Sequence, residues 1–419
     1  MSGAERAGRV WWAAALVAGM WLGCGGDDDP AEAAPGGAGT SAASGGGGAG
    51  GDAGGTGGDG GASGDGGSGG EGGSGGGSGG GVGCLPETCE AFKTPPGEQA
   101  APPGPKEGAP GPDGEAPLRH GLSAIRMGEK NAQGVDDPEA WKELGFDLDG
   151  FATTTQQTHH CKPRANGKKT DILADGKGGI DNSFGKNVVN PILKDLFEDM
   201  TGQATTSVQS GATTTVLDLG KIGEQASYQG LSGGSYPVEG ERTESGKIVK
   251  PPADDWSKYT WHPFADTVEP DNSPVAKLQG AYLSDHVWVS GKPTTLRLQL
   301  AFEAGVLVPI QVYQARVIVN LSDRSRGTGG VVGGILATSE LLDSFKKLAG
   351  FINTQFCGGS PLLDGLLLQV ERASDILLEG TQDPERECDG ISLGLGFESR
   401  ATRLGVKVNP TPPPDPCAP

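Results

Sequence analysis

Residues 294–302 read TTLRLQLAF and carry the clearest secondary-structure pattern of the chain. Apolar side chains alternate with polar ones, so that one side holds Leu296, Leu298, Leu300 and Phe302 and the other holds Arg297 and Gln299. A period of two with one polar side is typical of a half-buried strand in an antiparallel sheet. The stretch therefore predicts a strand with one face toward a core.

The alternation continues through residues 305–321 but changes side part-way along. The first apolar set is Val306, Val308, Ile310 and Val312, and past Gln311 the opposite set takes over with Tyr313, Ala315, Val317, Val319 and Leu321. One extra residue in a strand moves every later side chain to the other face. We therefore predict a bulge or a strand end within this run.

Two apolar stripes with helical spacing follow the strands. They predict helices over 339–356, with Ser339 as a cap, and over 361–379, with Gly380 as the stop. A further amphipathic helix is predicted from Asn190 to Met200. Strands, a helical pair and then more strands are an α+β order. We predict an α+β fold, mainly antiparallel β and sandwich-like, with two or three packed amphipathic helices.

The composition limits where a core can form. Of 419 residues, 76 are glycine and 30 are proline, and the apolar residues concentrate after residue 140. We predict a Cys/Pro/Gly-rich spacer over 84–140, a folded domain over 141–409 and a Pro-rich tail over 410–419. The net charge of −20 repels nucleic acid, so a nucleic-acid partner is disfavoured.

The first 23 residues have the layout of an export signal. Arg6 and Arg9 precede the apolar run 10–22, which is too short to span a bilayer. Gly23 directly before Cys24 resembles a bacterial lipobox, although Trp21 stands where that motif usually has Leu, Val or Ile. The resemblance implies a signal peptide over 1–23 and a lipidated first residue, Cys24. The alternative is a secreted protein that is cut elsewhere.

A glycine-rich stretch follows this cysteine. Residues 36–83 are almost entirely Gly, Ala, Ser, Thr and Asp, so they cannot build a core. We predict a long disordered tether over 24–83, with a root-mean-square span of about 40 Å for its glycine-rich part. Because Gly25 stands where inner-membrane retention would require Asp, the lipobox resemblance favours the outer membrane.

The chain has seven cysteines, an odd number for an exported protein. Lipidation of Cys24 leaves six for disulfide bonds, the default state in an oxidising compartment: Cys84, Cys89, Cys161, Cys357, Cys388 and Cys417. Cys84 and Cys89 are close enough in sequence to pair locally. Cys357 and Cys388 each follow a predicted helix, which suggests a second pair and leaves Cys161 with Cys417.

A block dense in Asp, Asn and Gly is the strongest candidate site. It supplies the oxygen ligands Asp147, Asp149, Asp175, Asp181 and Asn182, and oxygen is the donor that Ca²⁺ prefers. The segments DLDG and DGKGGIDN resemble fragments of acidic calcium-binding loops such as thrombospondin type 3 repeats, although neither completes a motif. The alternative interpretation is that these residues form Asx-turns in structured loops.

Other patterns suggest chemistry less specifically. The adjacent pair His159 and His160 would suit a transition metal, but adjacent side chains of an extended segment point to opposite faces. Residues 230–234 match the GxSxG nucleophile elbow, which needs a helix after Ser232. A carbohydrate-binding surface would need exposed aromatic residues, and the available ones are Trp256, Tyr259, Trp261, Tyr282 and Trp288.

Three segments of residues 141–409 resemble a group of uncharacterised exported and lipidated proteins from high-GC, myxobacterial-type genomes. They are GFDLDG (145–150), DGKGGIDNSFG (175–185) and GTQDPERECDGISLGLGF (380–397). The resemblance implies display at the cell surface or in the periplasm and transfers no catalytic residue. We predict a non-enzymatic lipoprotein of the outer membrane whose partners are the membrane and a glycan or envelope protein. The alternative is a polysaccharide hydrolase or a carbohydrate-binding protein of the envelope.

Overall fold

The computed structural model describes residues 99–154, 159–168, 174–197, 199–302, 306–352, 354–357, 359–410 and 416–417. These residues all belong to one compact unit. The predicted signal, the tether and the pair Cys84 and Cys89 lie outside the described residues.

Twelve strands of the described residues form one sheet. They are β1 (Ala109–Pro110), β2 (Arg119–Arg126), β3 (Thr214–Asp218), β4 (Tyr228–Gly240), β5 (Thr260–Pro263), β6 (Ala276–Ser284), β7 (Val287–Val289), β8 (Thr294–Phe302), β9 (Val306–Asp323), β10 (Arg326–Ala337), β11 (Gly390–Ala401) and β12 (Arg403–Leu404).

The sheet closes on itself because β4 pairs with both β3 and β6. Eight strands follow one another around this ring in the order β2, β3, β4, β6, β7, β9, β10 and β11, and every neighbouring pair is antiparallel. Among the described strands, only two pairs are parallel: β1 with β4, and β12 with β5. The predicted α+β class with a mainly antiparallel sheet is therefore confirmed. The strands are joined in one continuous sheet, where a sandwich would have two.

Strand β9 contains the predicted bulge. Its first half pairs with β8 and its second half pairs with β7 and β10. Opposite β8 the register shifts between Val312 and Ala315, both of which are buried, and Gln314 between them has a φ of 50°. Two residues, where a regular strand has one, separate these successive core side chains, so that later side chains alternate on the opposite positions. The change of side seen in the sequence therefore corresponds to a bulge in the strand.

Four helices pack around the sheet in the described part of the chain. The first, α1, is π-helical over Phe184–Leu193 and α-helical over Lys194–Phe197; the others are α2 (Met200–Gln209), α3 (Thr338–Ile352) and α4 (Pro361–Arg372). Short 3₁₀ turns occupy Ala140–Glu143, Ala265–Thr267 and Thr354–Phe356. None of the helices in the described residues is long and apolar enough to cross a membrane.

The helix boundaries differ from those predicted. The prediction of a single helix from Asn190 to Met200 was wrong. Asp199 accepts a hydrogen bond from the Gly202 N–H and caps a second helix that begins at Met200. Ser339 lies inside α3 and does not cap it. Helix α4 ends well before Gly380, since the backbone of residues 375–376 leaves the helix to pair with Gly390.

The folded part begins earlier than the predicted boundary at residue 141. Strand β2 lies between β3 and β11 in the ring, and residues 103–106 already bond to β4 and β6. The prediction of a spacer through residue 140 was therefore wrong. Strand β2 begins with Arg119, His120 and Gly121, which do not follow an alternating apolar pattern. The sequence pattern therefore did not predict this strand.

Glycines in β10 and β11 shape the surface on which the candidate site is built. A side chain at Gly333 would meet the Phe146 ring at 2.5 Å, and one at Gly394 would overlap the Leu144 carbonyl. The GFDLDG segment therefore lies directly on the two strands because glycine leaves the room. Larger residues at these positions of β10 and β11 would prevent this close contact between the strands and the GFDLDG segment.

His120 on β2 is fully buried. Its Nδ1 lies 3.0 Å from Ser399 Oγ, and its Nε2 lies 2.9 Å from the Arg324 carbonyl oxygen. Burial lowers the pKa of His120 to about 4; the bond to the Arg324 carbonyl and the charge of Asp323 oppose this shift, and the Arg324 charge adds to it.

We expect His120 to make stability depend on pH. The unfolded chain binds a proton at His120 near pH 6.5, whereas the folded chain holds the ring neutral down to about pH 4. In this window the unfolded state binds more protons, so the free energy of unfolding decreases as pH falls, by up to about 3 kcal/mol at the acidic end. Urea unfolding of metal-free wild type and His120→Gln across the window measures the effect. Equal pH slopes in the two proteins would contradict it.

Candidate metal centre

Three carboxylates meet at one point beside β11. One oxygen each from Asp147, Asp149 and Asp181 lie within 4.8 Å of one another. Asp147 and Asp181 are buried, and Asp149 is mostly buried with a small exposed part. We call these three residues the carboxylate group.

Local turns orient the first two members of the carboxylate group. Asp147 Oδ1 accepts a hydrogen bond from the Gly150 N–H at 2.6 Å, and Asp149 Oδ1 accepts one from the Phe151 N–H at 2.8 Å. Gly150 has a φ of 84°, a conformation that favours glycine. The Asx-turns offered as an alternative to calcium are thus present, and they aim the carboxylates toward Asp181.

The second acidic segment is joined to the first through its own carboxylates. Asp181 Oδ2 accepts a hydrogen bond from the Leu148 N–H at 2.7 Å, and the Asp181 N–H donates to the Phe146 carbonyl at 3.0 Å. Asp175 accepts from the Thr153 N–H. Residues separated by about 30 positions in the chain are therefore fixed side by side.

Two residues that the sequence analysis missed complete the surroundings. Gln382 Nε2 donates to Asp149 Oδ2 at 2.7 Å and to the Asp375 carbonyl at 3.1 Å. Asp375 is buried, and its carboxylate accepts from the Ser392 N–H at 2.8 Å and from Ser392 Oγ at 2.5 Å. No spacing in the sequence links these residues to 147–181. Their one signal is that Gln382 lies in the segment GTQDPERECDGISLGLGF.

A buried disulfide brings Gln382 to the site. Cys161 bonds to Cys388, and the Cys161 N–H donates to Gln382 Oε1 at 2.9 Å. The second described disulfide joins Cys357 to Cys417. The suggested pairs Cys357–Cys388 and Cys161–Cys417 were therefore wrong. The backbone of Lys162 bonds on both sides to the segment 386–388, while residues 416–417 return to the end of α3, and these long-range contacts decide the pairing.

Burial shifts the pKa values of the acidic side chains at the site. Burial, with repulsion from neighbouring carboxylates, raises the pKa values of Asp175 and Asp181 well above the usual range and that of Asp149 to about 7. Burial likewise raises the pKa of Asp375 to about 6. Lys186 is a cation near Asp175 and Asp375; burial lowers its own pKa, and its Nζ lies 3.3 Å from the Ala174 carbonyl.

Asn182 has a different environment from the four aspartates predicted with it. Its Nδ2 donates to the carbonyls of Trp141, Leu144 and Gly394, and its Oδ1 accepts from the N–H groups of Gly185 and Gly394. Both polar atoms of the amide are thus engaged with backbone. Asn182 joins residues 141–144, just before the GFDLDG segment, to β11, and we leave it out of the proposed ligand set.

The histidine pair lies beside the site and is buried. His159 Nε2 is 3.4 Å from Thr153 Oγ1, and its ring stacks on Phe151 with a centroid distance of 4.4 Å. His160 Nδ1 bonds to the Cys161 carbonyl at 2.8 Å. Since Cys161 is in a disulfide, these three residues do not form a thiolate–imidazole metal site.

The features considered for a hydrolase or a glycan-binding surface have other surroundings. Ser232 lies within strand β4 and is followed by further strand residues, so the helix that a nucleophile elbow requires is absent there. Four of the five candidate aromatics are buried in the core, namely Trp256, Tyr259, Trp261 and Trp288. Tyr282 is partly exposed and donates its hydroxyl to the Pro103 carbonyl at 2.6 Å.

The carboxylate group thus stands as the candidate site without support from related proteins. The chain matches no protein-family model, no curated protein and no solved structure.

Proposed function

We propose that this chain is a non-enzymatic lipoprotein of the bacterial outer membrane whose β-rich module binds one Ca²⁺ at the carboxylate group. The observation that carries the calcium part is the convergence of Asp147, Asp149 and Asp181 within 4.8 Å. Three carboxylates facing one point repel one another, and a divalent cation between them replaces that repulsion by attraction.

The donor chemistry selects the kind of cation. All three candidate ligands are carboxylate oxygens, which suit hard cations and not the soft metals that prefer thiolate. Mg²⁺ keeps several of its waters and needs a near-octahedral shell, whereas Ca²⁺ accepts six to eight oxygens in irregular geometry. A group with two of its three carboxylates buried favours Ca²⁺, with backbone carbonyls and water as the remaining ligands.

In this proposal the ion has a structural role. It joins the GFDLDG segment to the segment of Asp181, and Gln382 and the disulfide Cys161–Cys388 hold a third segment against them. The module would then present a stable surface to a glycan or an envelope protein. Calcium-dependent thermal unfolding tests this role.

The anchor rests on the sequence around Cys24. A short apolar run, a small residue before the cysteine and a glycine-rich stretch after it support a lipidated residue on a long tether. The resemblance to exported lipoproteins supports the same location.

Labelling of cells with radioactive palmitate tests the anchor. We expect the wild-type chain to incorporate label and the variant Cys24→Ser to lose it, because only the thiol can carry the diacylglycerol that precedes acylation. The variant Cys357→Ser keeps Cys24 and serves as the matched control. Equal labelling of wild type and Cys24→Ser would refute the anchor.

A further inference from the structure

A groove separate from the carboxylate group opens at the end of β2. It has a volume of about 540 Å³ and lies between the 130–144 segment and residues 329–331 of β10. Pockets of about 300–1,000 Å³ are the usual size for small-molecule sites. The groove is therefore large enough for a ligand of one sugar ring or a similar size.

Arg126, the last residue of β2, lines this groove and is partly buried. Its guanidinium lies against the backbone of Gly396, where an added Cβ would come within 3.0 Å of Arg126 Nε. Glycine at this position thus leaves the room that the guanidinium occupies. Among the described residues no hydrogen bond or ion pair engages the Arg126 side chain.

The Arg126 guanidinium is thus available to an acceptor group of a ligand in the groove. The guanidinium is a cation that carries five N–H donors in a planar fork. A carboxylate is its best geometric match, because two parallel N–H···O bonds form at once.

The other charged residues of the groove limit what else the ligand carries. Lys130 is already paired with Asp199 at 2.7 Å, and Lys142 is paired with Glu139. Lys177 has no ion pair in the described part of the chain, and Asp137 and Glu143 add negative charge on the wall formed by the 130–144 segment. A polyanion would be repelled by these acids, whereas hydroxyl groups could donate to them.

We propose that the groove binds a small hydroxylated monocarboxylate of the hexuronic-acid type. The ligand carboxylate forms a bidentate pair with Arg126 and is attracted by Lys177. The ligand hydroxyls donate to Asp137 and Glu143. Once Lys130 and Lys142 are counted with their partners, the two remaining cations of the groove equal its two remaining acids in charge. A ligand with one carboxylate therefore adds a single negative charge, which lies beside Arg126.

Isothermal titration with D-glucuronate and D-glucose tests the proposal, because these two sugars differ only at C6, where glucuronate has a carboxylate and glucose a hydroxymethyl group. We expect glucuronate to bind at least about tenfold more tightly than glucose, and Arg126→Gln to remove this difference. Arg316→Gln is the matched control, since Arg316 is also partly exposed and makes no ion pair in the described residues but does not line the groove.

Two results with the sugars would overturn the proposal. One is that the wild-type protein binds glucuronate no more tightly than glucose, or binds neither. This comparison tests the proposal even if Arg126→Gln fails to fold. The other is that Arg126→Gln, with wild-type thermal stability, binds glucuronate unchanged. Inorganic phosphate is a third probe: if it binds more tightly than glucuronate and is lost in Arg126→Gln, the ligand is a phosphate and not a monocarboxylate.

Discussion

Adding Ca²⁺ to chelator-treated protein should raise its thermal unfolding temperature by about 5–10 °C. A ligand present at one hundred times its dissociation constant stabilises the folded state by about 2.7 kcal/mol, and each kcal/mol shifts the midpoint of a chain of this size by about 2–4 °C. The physical reason is that one carboxylate oxygen from each of Asp147, Asp149 and Asp181 lies within 4.8 Å of the others, so that a cation between them would be attracted by all three. Differential scanning calorimetry with Ca²⁺, with Mg²⁺ and with a chelator measures the shift.

The variant Asp181→Asn separates this explanation from a purely structural one. Asparagine keeps the size of the side chain and can still accept the hydrogen bond from the Leu148 N–H, but it removes a buried carboxyl group that could ionise to bind a cation. The metal-free variant should therefore unfold at the wild-type temperature or higher, while its response to Ca²⁺ disappears. A residue with only a structural role would show a lower temperature and an intact Ca²⁺ response.

Asp343→Asn is the matched control for this change. Asp343 lies on the surface of α3, where it pairs with Lys346 at 3.2 Å, so its replacement should alter stability by less than about 0.5 kcal/mol. The Ca²⁺ shift should remain at its wild-type value. Loss of the shift in this control as well would mean that calcium acts through overall charge.

Removing the disulfide between Cys161 and Cys388 should cost about 3–5 kcal/mol of the free energy of unfolding. The bond closes a sequence separation of 227 residues, and a long loop gives a large entropic effect on the unfolded chain. Both cysteines are fully buried, so the double variant Cys161→Ala, Cys388→Ala also loses packing. Urea unfolding of the metal-free proteins measures the cost. We also expect weaker Ca²⁺ binding, because the disulfide holds Gln382 against Asp149.

The pair Cys357 and Cys417 provides the comparison. Its sequence separation is 60, and it attaches residues near the end of the chain to the end of α3. The double variant Cys357→Ala, Cys417→Ala should cost less and leave Ca²⁺ affinity unchanged. If both double variants weakened Ca²⁺ binding equally, the first disulfide would have no specific role at the site.

Local patterns in the sequence predicted local structure well. The alternation in 294–321 predicted β8, β9 and the irregularity at Gln314, since a half-buried strand repeats every two residues whatever it pairs with. Strand β4 was not predicted as one long strand. Its glycines, such as Gly233 against the Asp218 carbonyl, serve close backbone contacts and break the periodic pattern.

The site could be predicted only in part for the same reason. Asp147, Asp149, Asp175 and Asp181 lie in two acidic segments that composition alone singles out. Asp375 and Gln382 come from a distant part of the chain, and their position depends on the closed sheet and on the true disulfide pairing. The sheet closes through the pairing of β4 with β6, and the local periodicity of the sequence does not indicate which distant strands pair. Metal binding itself stays a prediction.

Equilibrium dialysis with radioactive calcium measures the central claim most directly. At neutral pH we expect chelator-treated wild-type protein to take up one Ca²⁺ per chain, Asp343→Asn to do the same and Asp181→Asn to take up none. Absence of bound calcium in the wild-type protein, or a full equivalent in Asp181→Asn, would contradict the assignment of the carboxylate group as a calcium site.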